Sequence, residues 1–246
     1  MHFKFSVNFE FKLVTIITMS TFAQKITQFN RTLSFKGKLP KGIRIMNPFH
    51  ENPEIQFISE KFYNKFYNDT KKRRMILGIN PGRLGAGATG IPFTDTKRLN
   101  EKCNIKINSF TTHEPSSVFI YEMIKRYGGV KQFYNDYYIN STCPLGFLKL
   151  NDRNNWVNCN YYDYKELFKS MESFIITKLK QQIEFGFETD FCFSLGKKNA
   201  KYLEYINSKE HLFGKIIPLD HPRYIVQYKS RQQEDYISDY LNKFDF

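Results

Sequence analysis

The chain has 246 residues, enough for one α/β domain whose core needs no disulfides or structural metal. Its formal net charge of +13 suits a polyanionic partner, nucleic acid first, with part of that charge due to a composition rich in Asn, Lys, Ile, Phe and Tyr. Four cysteines at 103, 143, 159 and 192, separated by 40, 16 and 33 residues, form no CxxC pair. No zinc site or iron–sulfur cluster is therefore signalled, and the thiols read as reduced and buried in a reducing compartment.

Residues 1–20 read as a leader or arm. The apolar run "LVTIITM" is too short to span a membrane, and Glu10 and Lys12 interrupt it as a secretory signal. Met19 as the true start is the plainer account; an arm or added edge strand is the other. Residues 21–246 then form a single domain without repeats. Asn52 and Pro53 open a helix over 52–68, and a short apolar strand follows at 73–79. A helix over 115–129 starts at Pro115 and stops at Gly128–Gly129, and a strand covers 136–144. A long amphipathic helix fills 162–185, a strand 189–196 leads into another helix, and a last strand (214–222) precedes a last helix (231–243). Strands alternating with helices predict a parallel sheet of four strands with helices on both faces. Ligands bind beyond the carboxyl ends of such strands, so 80–93, 140–147, 196–199 and 221–229 should meet at one cleft.

The first strand runs into "GINPGRLGAGATGIPF", where five glycines fall within residues 78–90. "GAGATG" is a literal GxGxxG, yet it starts well past the strand, and Ile-Pro-Phe follows where a Rossmann helix should begin. There is also no GK[ST] ending for a P-loop. The loop instead fixes an amide, Asn80, at the strand tip and a ring, Phe93, thirteen residues later. Glycines between them let a planar ring or a sugar-phosphate approach bare backbone.

"GINPG", "TGIPF", "NSTCPLGF" and "HPR", in that order, resemble the uracil-DNA glycosylase superfamily, and within it the single-strand-selective monofunctional branch of bacterial type. The resemblance covers roughly residues 73–229. It implies a three-layer α/β/α fold with a short, mostly parallel four-stranded sheet, no cofactor and no metal. It implies a monofunctional, monomeric enzyme of the bacterial cytoplasm that acts on DNA, not on membranes. Such an enzyme flips uracil or a related damaged base out of DNA and hydrolyses its N-glycosidic bond. By resemblance, Asn80 holds the attacking water and His221 donates to the base as negative charge develops there. Phe93 stacks on the base, and Gly78 and Ile79 help line its pocket. Gly82 stands where some relatives place a bulky residue that excludes thymine.

Ser141 occupies the place of the family's base-reading Asn, with Asn140 just before it as the second candidate; this departure leaves the choice among uracil, its oxidised derivatives and deaminated purines open. The family's wedge after His221 does not align, because the usual Ser-Pro run is missing. Arg223, Tyr224, Tyr228, Lys229 and Arg231 offer phosphate contacts and stacking there. Each residue has a dull alternative: Asn80 as a turn cap, Phe93 as one core ring among 25 phenylalanines, Tyr224 and Tyr228 as one inward helix face. The rival function is a non-catalytic nucleic-acid-binding module on the same fold, which would not need both Asn80 and His221. A hydrolase of free nucleosides would need groups for the ribose hydroxyls, and no paired-carboxylate motif offers them.

Overall fold

The computed structural model describes residues 20–244, so the leader or arm lies almost wholly outside the described residues. The central layer is a four-stranded parallel sheet of order β3-β2-β6-β7, built from Arg74–Gly78 (β2), Tyr137–Ser141 (β3), Phe191–Leu195 (β6) and Lys215–Leu219 (β7). These are the strands expected from the sequence. Every residue of β3 and all but the first of β2 and β6 are buried, which is why they read as apolar runs without alternation. Gly78 pairs with Ser141 and Leu195 with Leu219, so the carboxyl ends finish level.

Helices flank the sheet. Pro53–Phe66 (α3) starts where expected: the Asn52 side chain accepts the Glu54 N–H, Pro53 needs no donor partner, and Ile55, Ile58 and Phe62 form the buried stripe. Pro115–Tyr127 (α6) ends at Gly128, whose φ of 124° suits only glycine. Lys165–Ile183 (α8) buries Leu167, Met171, Ile175 and Leu179, four residues apart each time. Lys197–Glu210 (α9) and Gln233–Phe244 (α11) complete the expected set.

Other elements were not expected. Phe22–Thr32 (α1) packs on α3 and begins with a reciprocal capping box between Thr21 and Gln24. Short helices cover Pro48–Glu51 (α2), Ala86–Thr89 (α4), Thr96–Cys103 (α5), Val130–Asp136 (α7) and Pro222–Tyr228 (α10). A second, antiparallel sheet of order β1-β4-β5 joins Ile43–Met46 (β1), Gly146–Leu150 (β4) and Trp156–Cys159 (β5). Its β4–β5 turn is held by Asn151, with Asn154 at a φ of 56°. Asn tolerates that left-handed conformation better than most residues.

Pairing between β2 and β6 ends at Leu77–Ser194, and the carbonyls there keep a lone pair open to a further partner, that of Gly78 already taking the Thr142 N–H at 2.8 Å. Asn199 of α9, fully buried, supplies one: its Nδ2 lies 3.1 Å from both the Leu77 and Gly78 carbonyl oxygens and 3.0 Å from Ser194 Oγ. Its Oδ1 accepts the Tyr161 hydroxyl at 2.9 Å. Asn199→Leu keeps the volume but removes these hydrogen bonds, leaving the Gly78 carbonyl only its Thr142 N–H and the Ser194 and Tyr161 hydroxyls without the amide they share. Urea unfolding should show it less stable by about 3 kcal/mol.

Candidate active site

Beyond the carboxyl ends of the parallel strands lies a cleft of about 550 Å³, lined by Ile79, Asn80, Gly82, Phe93, Ser141, His221 and Arg223 among others. Three of the four segments expected there contribute directly. The fourth works from behind: Gly196, at a φ of 99°, packs under the His221 ring, and Asn199 lies deeper.

Asn80 does not sway in solvent. Its Oδ1 accepts the Tyr161 N–H at 3.0 Å, and its Nδ2 donates to the Cys159 carbonyl at 3.3 Å. Backbone at the end of β5 therefore dictates which end of the amide is oxygen. Its Oδ1 keeps one lone pair for a water or substrate, while Nδ2 also lies 3.5 Å from the Pro81 carbonyl.

Phe93 sits at the corner of a turn in which the Ile91 carbonyl accepts the Thr94 N–H at 3.2 Å. Pro92 precedes it, and Phe93 itself has a φ of 52°, a position that turns of this kind usually give to glycine. Such backbone costs on the order of 1–3 kcal/mol and persists only where its surroundings enforce it. The enforcer is the buried Thr89 hydroxyl, which donates to the Thr94 carbonyl at 2.7 Å and accepts the Ile91 N–H at 3.2 Å. The Phe93 ring then lies over Gly78, where an added Cβ would come within 3.0 Å of it. Gly78 thus floors the ring without lining the cleft. The Phe93 and His221 rings stand 6.0 Å apart, tilted by 53°.

His221 caps α10. Its Nδ1 accepts the Arg223 N–H at 3.1 Å, which leaves the ring proton on Nε2 in the neutral form. Burial, helped by the nearby Arg223 charge, pushes its pKa down to about 4, so the ring is a neutral donor at physiological pH.

Ser141 lines the cleft; Asn140 does not, and so it drops out as a base reader. Successive strand residues face opposite ways. Asn140 is spent inside: Nδ2 donates to the Tyr138 hydroxyl at 2.7 Å and to Gln182 Oε1 at 2.6 Å, and Oδ1 accepts the Ser141 N–H at 2.8 Å. Gly82 opens space, since an added Cβ would meet only Asn158 Nδ2 at 3.7 Å. Arg223 lines the cleft from an exposed position. Tyr224 and Tyr228, 41% and 67% exposed with rings 5.7 Å apart, stand on the outer face of α10, not inward. Lys229 and Arg231 follow them beyond the cleft lining.

Sequence reasoning missed Asn158 and Asn160 at the end of β5, and above all Glu114. The polar run "NDRNN" between two apolar stretches was the available signal for the hairpin. Glu114 is the one carboxylate lining the cleft among the described residues. Its carboxyl rests against Gly85, where any Cβ would fall 2.1 Å from Oε2, and Oε2 is buried with no hydrogen-bond partner. Burial, then the neighbouring Asp95 carboxylate, raise its pKa to about 7 against the opposing pull of Arg223. Asp95 is fully buried and accepts from Glu114 N, Ser117 Oγ and Arg98. Among the described residues no lysine lines the cleft.

A family model described as the uracil DNA glycosylase superfamily matches residues 64–245. The crystal structure of wild-type SMUG2 from Pedobacter heparinus is similar to this chain with a TM-score of 0.90 and 50% identity, covering 92% of this chain and 98% of that one. No curated protein matches significantly.

Two outcomes follow from this geometry. Gly78→Ala should push the Phe93 ring off its floor and weaken capture of a planar base, read as a rise in the enzyme concentration giving half-maximal single-turnover rate. Glu114 carries a pKa above its unfolded value, so the folded state binds its proton more tightly and stability should fall as pH rises from about 4.5 through about 7. Glu114→Gln should flatten that fall in melting temperature measured from pH 5 to 8.5.

Proposed function

Because the chain belongs to the uracil-DNA glycosylase superfamily, its SMUG-like members included, we propose that this cleft is where it cuts damaged bases from DNA, with Asn80 and His221 as the catalytic pair. The enzyme is a monofunctional DNA glycosylase of base excision repair. The observation that carries the site assignment is the pair of fixed polar groups in one cleft: an amide locked by β5 backbone, and a neutral imidazole locked by the Arg223 N–H.

Asn80 Oδ1 orients a water toward the sugar carbon. An amide is a poor base, which suffices where the glycosidic bond breaks ahead of attack and the sugar becomes cation-like. The C1′–N bond electrons leave with the base. His221 Nε2–H donates to the base oxygen on which that charge collects, and a neutral imidazole does this without itself losing a proton. Phe93 covers one face of the base, over Gly78. The Ser141 hydroxyl bonds the base edge but cannot match both donor and acceptor as an amide would. Gly82 leaves the cleft wide where a side chain would narrow it. The combination fits a pocket more permissive than one built for uracil alone.

Arg223 grips phosphate at the rim, while Tyr224, Tyr228, Lys229 and Arg231 extend the DNA face along α10. With no lysine lining the cleft among the described residues, the product is an abasic site without a Schiff base. The enzyme works on this reading as a monomer, without metal, in the bacterial cytoplasm on the nucleoid. Among the described residues no helix is long and apolar enough to cross a membrane. A binding module on the same fold is the weaker reading, because it has no use for a tautomer-locked histidine opposite a clamped amide.

Single-turnover cleavage of a uracil-containing oligonucleotide, with alkali to break abasic sites, tests this reading. Asn80→Ala and His221→Ala should each lose about a hundredfold or more in rate with far smaller changes in DNA affinity. The parent rate should hold level from pH 8 to 5.5 as far as His221 governs it, and fall as pH drops through about 4. Parent-like rates in both variants would assign the chemistry elsewhere.

A further inference from the structure

A base drawn out of a duplex leaves a hole in the stack, and an apolar side chain that enters it slows the base's return. The segment after His221, where the resemblance would put such a wedge, is helical from Pro222. Ile225 is buried, Tyr224 and Tyr228 stand outside the cleft lining, and only Arg223 of α10 reaches the cleft. Hence α10 adds no apolar side chain to the cleft lining.

The glycine loop does. The Gly82 carbonyl accepts the Gly85 N–H at 3.2 Å and the Gly87 N–H at 2.8 Å, closing a turn with Arg83 and Leu84 at its corner. Leu84 is 44% exposed. Among the described residues the other exposed large apolar side chains are Phe57, Leu150, Tyr205, Tyr224 and Tyr228, and none of these lines the cleft. The corner is braced. Arg83 N donates to Asn158 Oδ1 at 3.3 Å, and its guanidinium reaches the Trp156 carbonyl at 3.4 Å, so the turn leans on β5. Behind it, α4 ends at Gly90 in the left-handed conformation. Leu84 is thus an apolar tip on a braced turn that lines the cleft while keeping 44% of its surface exposed.

We propose that Leu84 is the wedge, entering the base stack from the glycine-loop side as the damaged nucleotide turns into the cleft. Leu84 is then a positioning residue, touching the neighbours of the extruded base and not the reacting atoms. Arg83 beside it is placed to meet a flanking phosphate. The inference rests on the glycosylase reading above, and it specifies that the need for Leu84 arises only where there is a stack to hold open.

The test compares one uracil-containing sequence as a single strand and as a U·G-mismatched duplex, under excess enzyme, for the parent, Leu84→Ala and Leu84→Phe. Leu84→Ala should lower the duplex-to-single-strand rate ratio by about tenfold or more, and Leu84→Phe should restore most of it. A pyrene nucleotide opposite the uracil, whose bulk fills the gap from the other strand, should rescue Leu84→Ala on the duplex. A ratio that falls by less than about threefold, or no rescue by pyrene, overturns the proposal. So does a parent enzyme that cuts only single strands, since it would need no wedge. A parent that cuts neither substrate refutes the glycosylase reading itself, a separate outcome.

Discussion

One side-chain amide, that of Asn199, sits where the parallel sheet runs out of partners. Past Leu77 the strand β2 has no ladder neighbour on the β6 side, and beyond that point the Gly78 carbonyl takes only the Thr142 N–H from the backbone. Asn199 closes that gap from α9 and holds the Tyr161 hydroxyl with its other end. Tyr161 in turn donates its backbone N–H to Asn80. The site amide is thus fixed by a relay that begins with the sheet's own unfinished hydrogen bonding.

The opposite wall is fixed by strain. Phe93 occupies a backbone conformation that glycine would take without cost, and Thr89, Pro92 and the bare Cα of Gly78 together hold it there. Gly85 serves the same economy by admitting the Glu114 carboxyl against its backbone. The glycines of this loop therefore do more than bend the chain. Gly78 and Gly85 let a ring and a carboxyl lie where a methyl group would stand, Gly87 admits the Met46 side chain, and Gly82 leaves the cleft open, which answers the question posed by five glycines between residues 78 and 90.

The sheet was legible in the sequence because its strands are buried on both faces and separated by helices with plain starts, such as Asn52–Pro53 and the Pro115 before Ser116. The site order was legible because Asn80 and Phe93 follow the end of one strand, Ser141 closes a second and His221 follows a third. Helix α1 is announced in the sequence by little more than the Thr21 and Gln24 capping box. Helix α10 was hidden because Tyr-Ile-Val favours strands, and only the His221 cap and Pro222 turn the balance. Asn140 and Ser141 could not be separated by identity alone; strand alternation separates them, and that needs the register. Glu114 was beyond reach, since its meaning comes from Asp95, Gly85 and Arg223, brought together by folding.

The small antiparallel sheet has a bearing on what counts as the minimal enzyme. Strand β1, at Ile43–Met46, precedes the residues matched by the family model, 64–245, and carries none of the site residues. Yet it pairs along β4, β4 pairs along β5, and the end of β5 grips Asn80. Met46 also fills the space over Gly87 and Gly146, against the glycine loop. A fragment cut at the family boundary would keep every reacting group and expose a bare strand edge in β4, an invitation to pair with another molecule. The described segment ahead of residue 64 is in this sense a sheath: it carries none of the site residues and keeps their scaffold from finding the wrong partner.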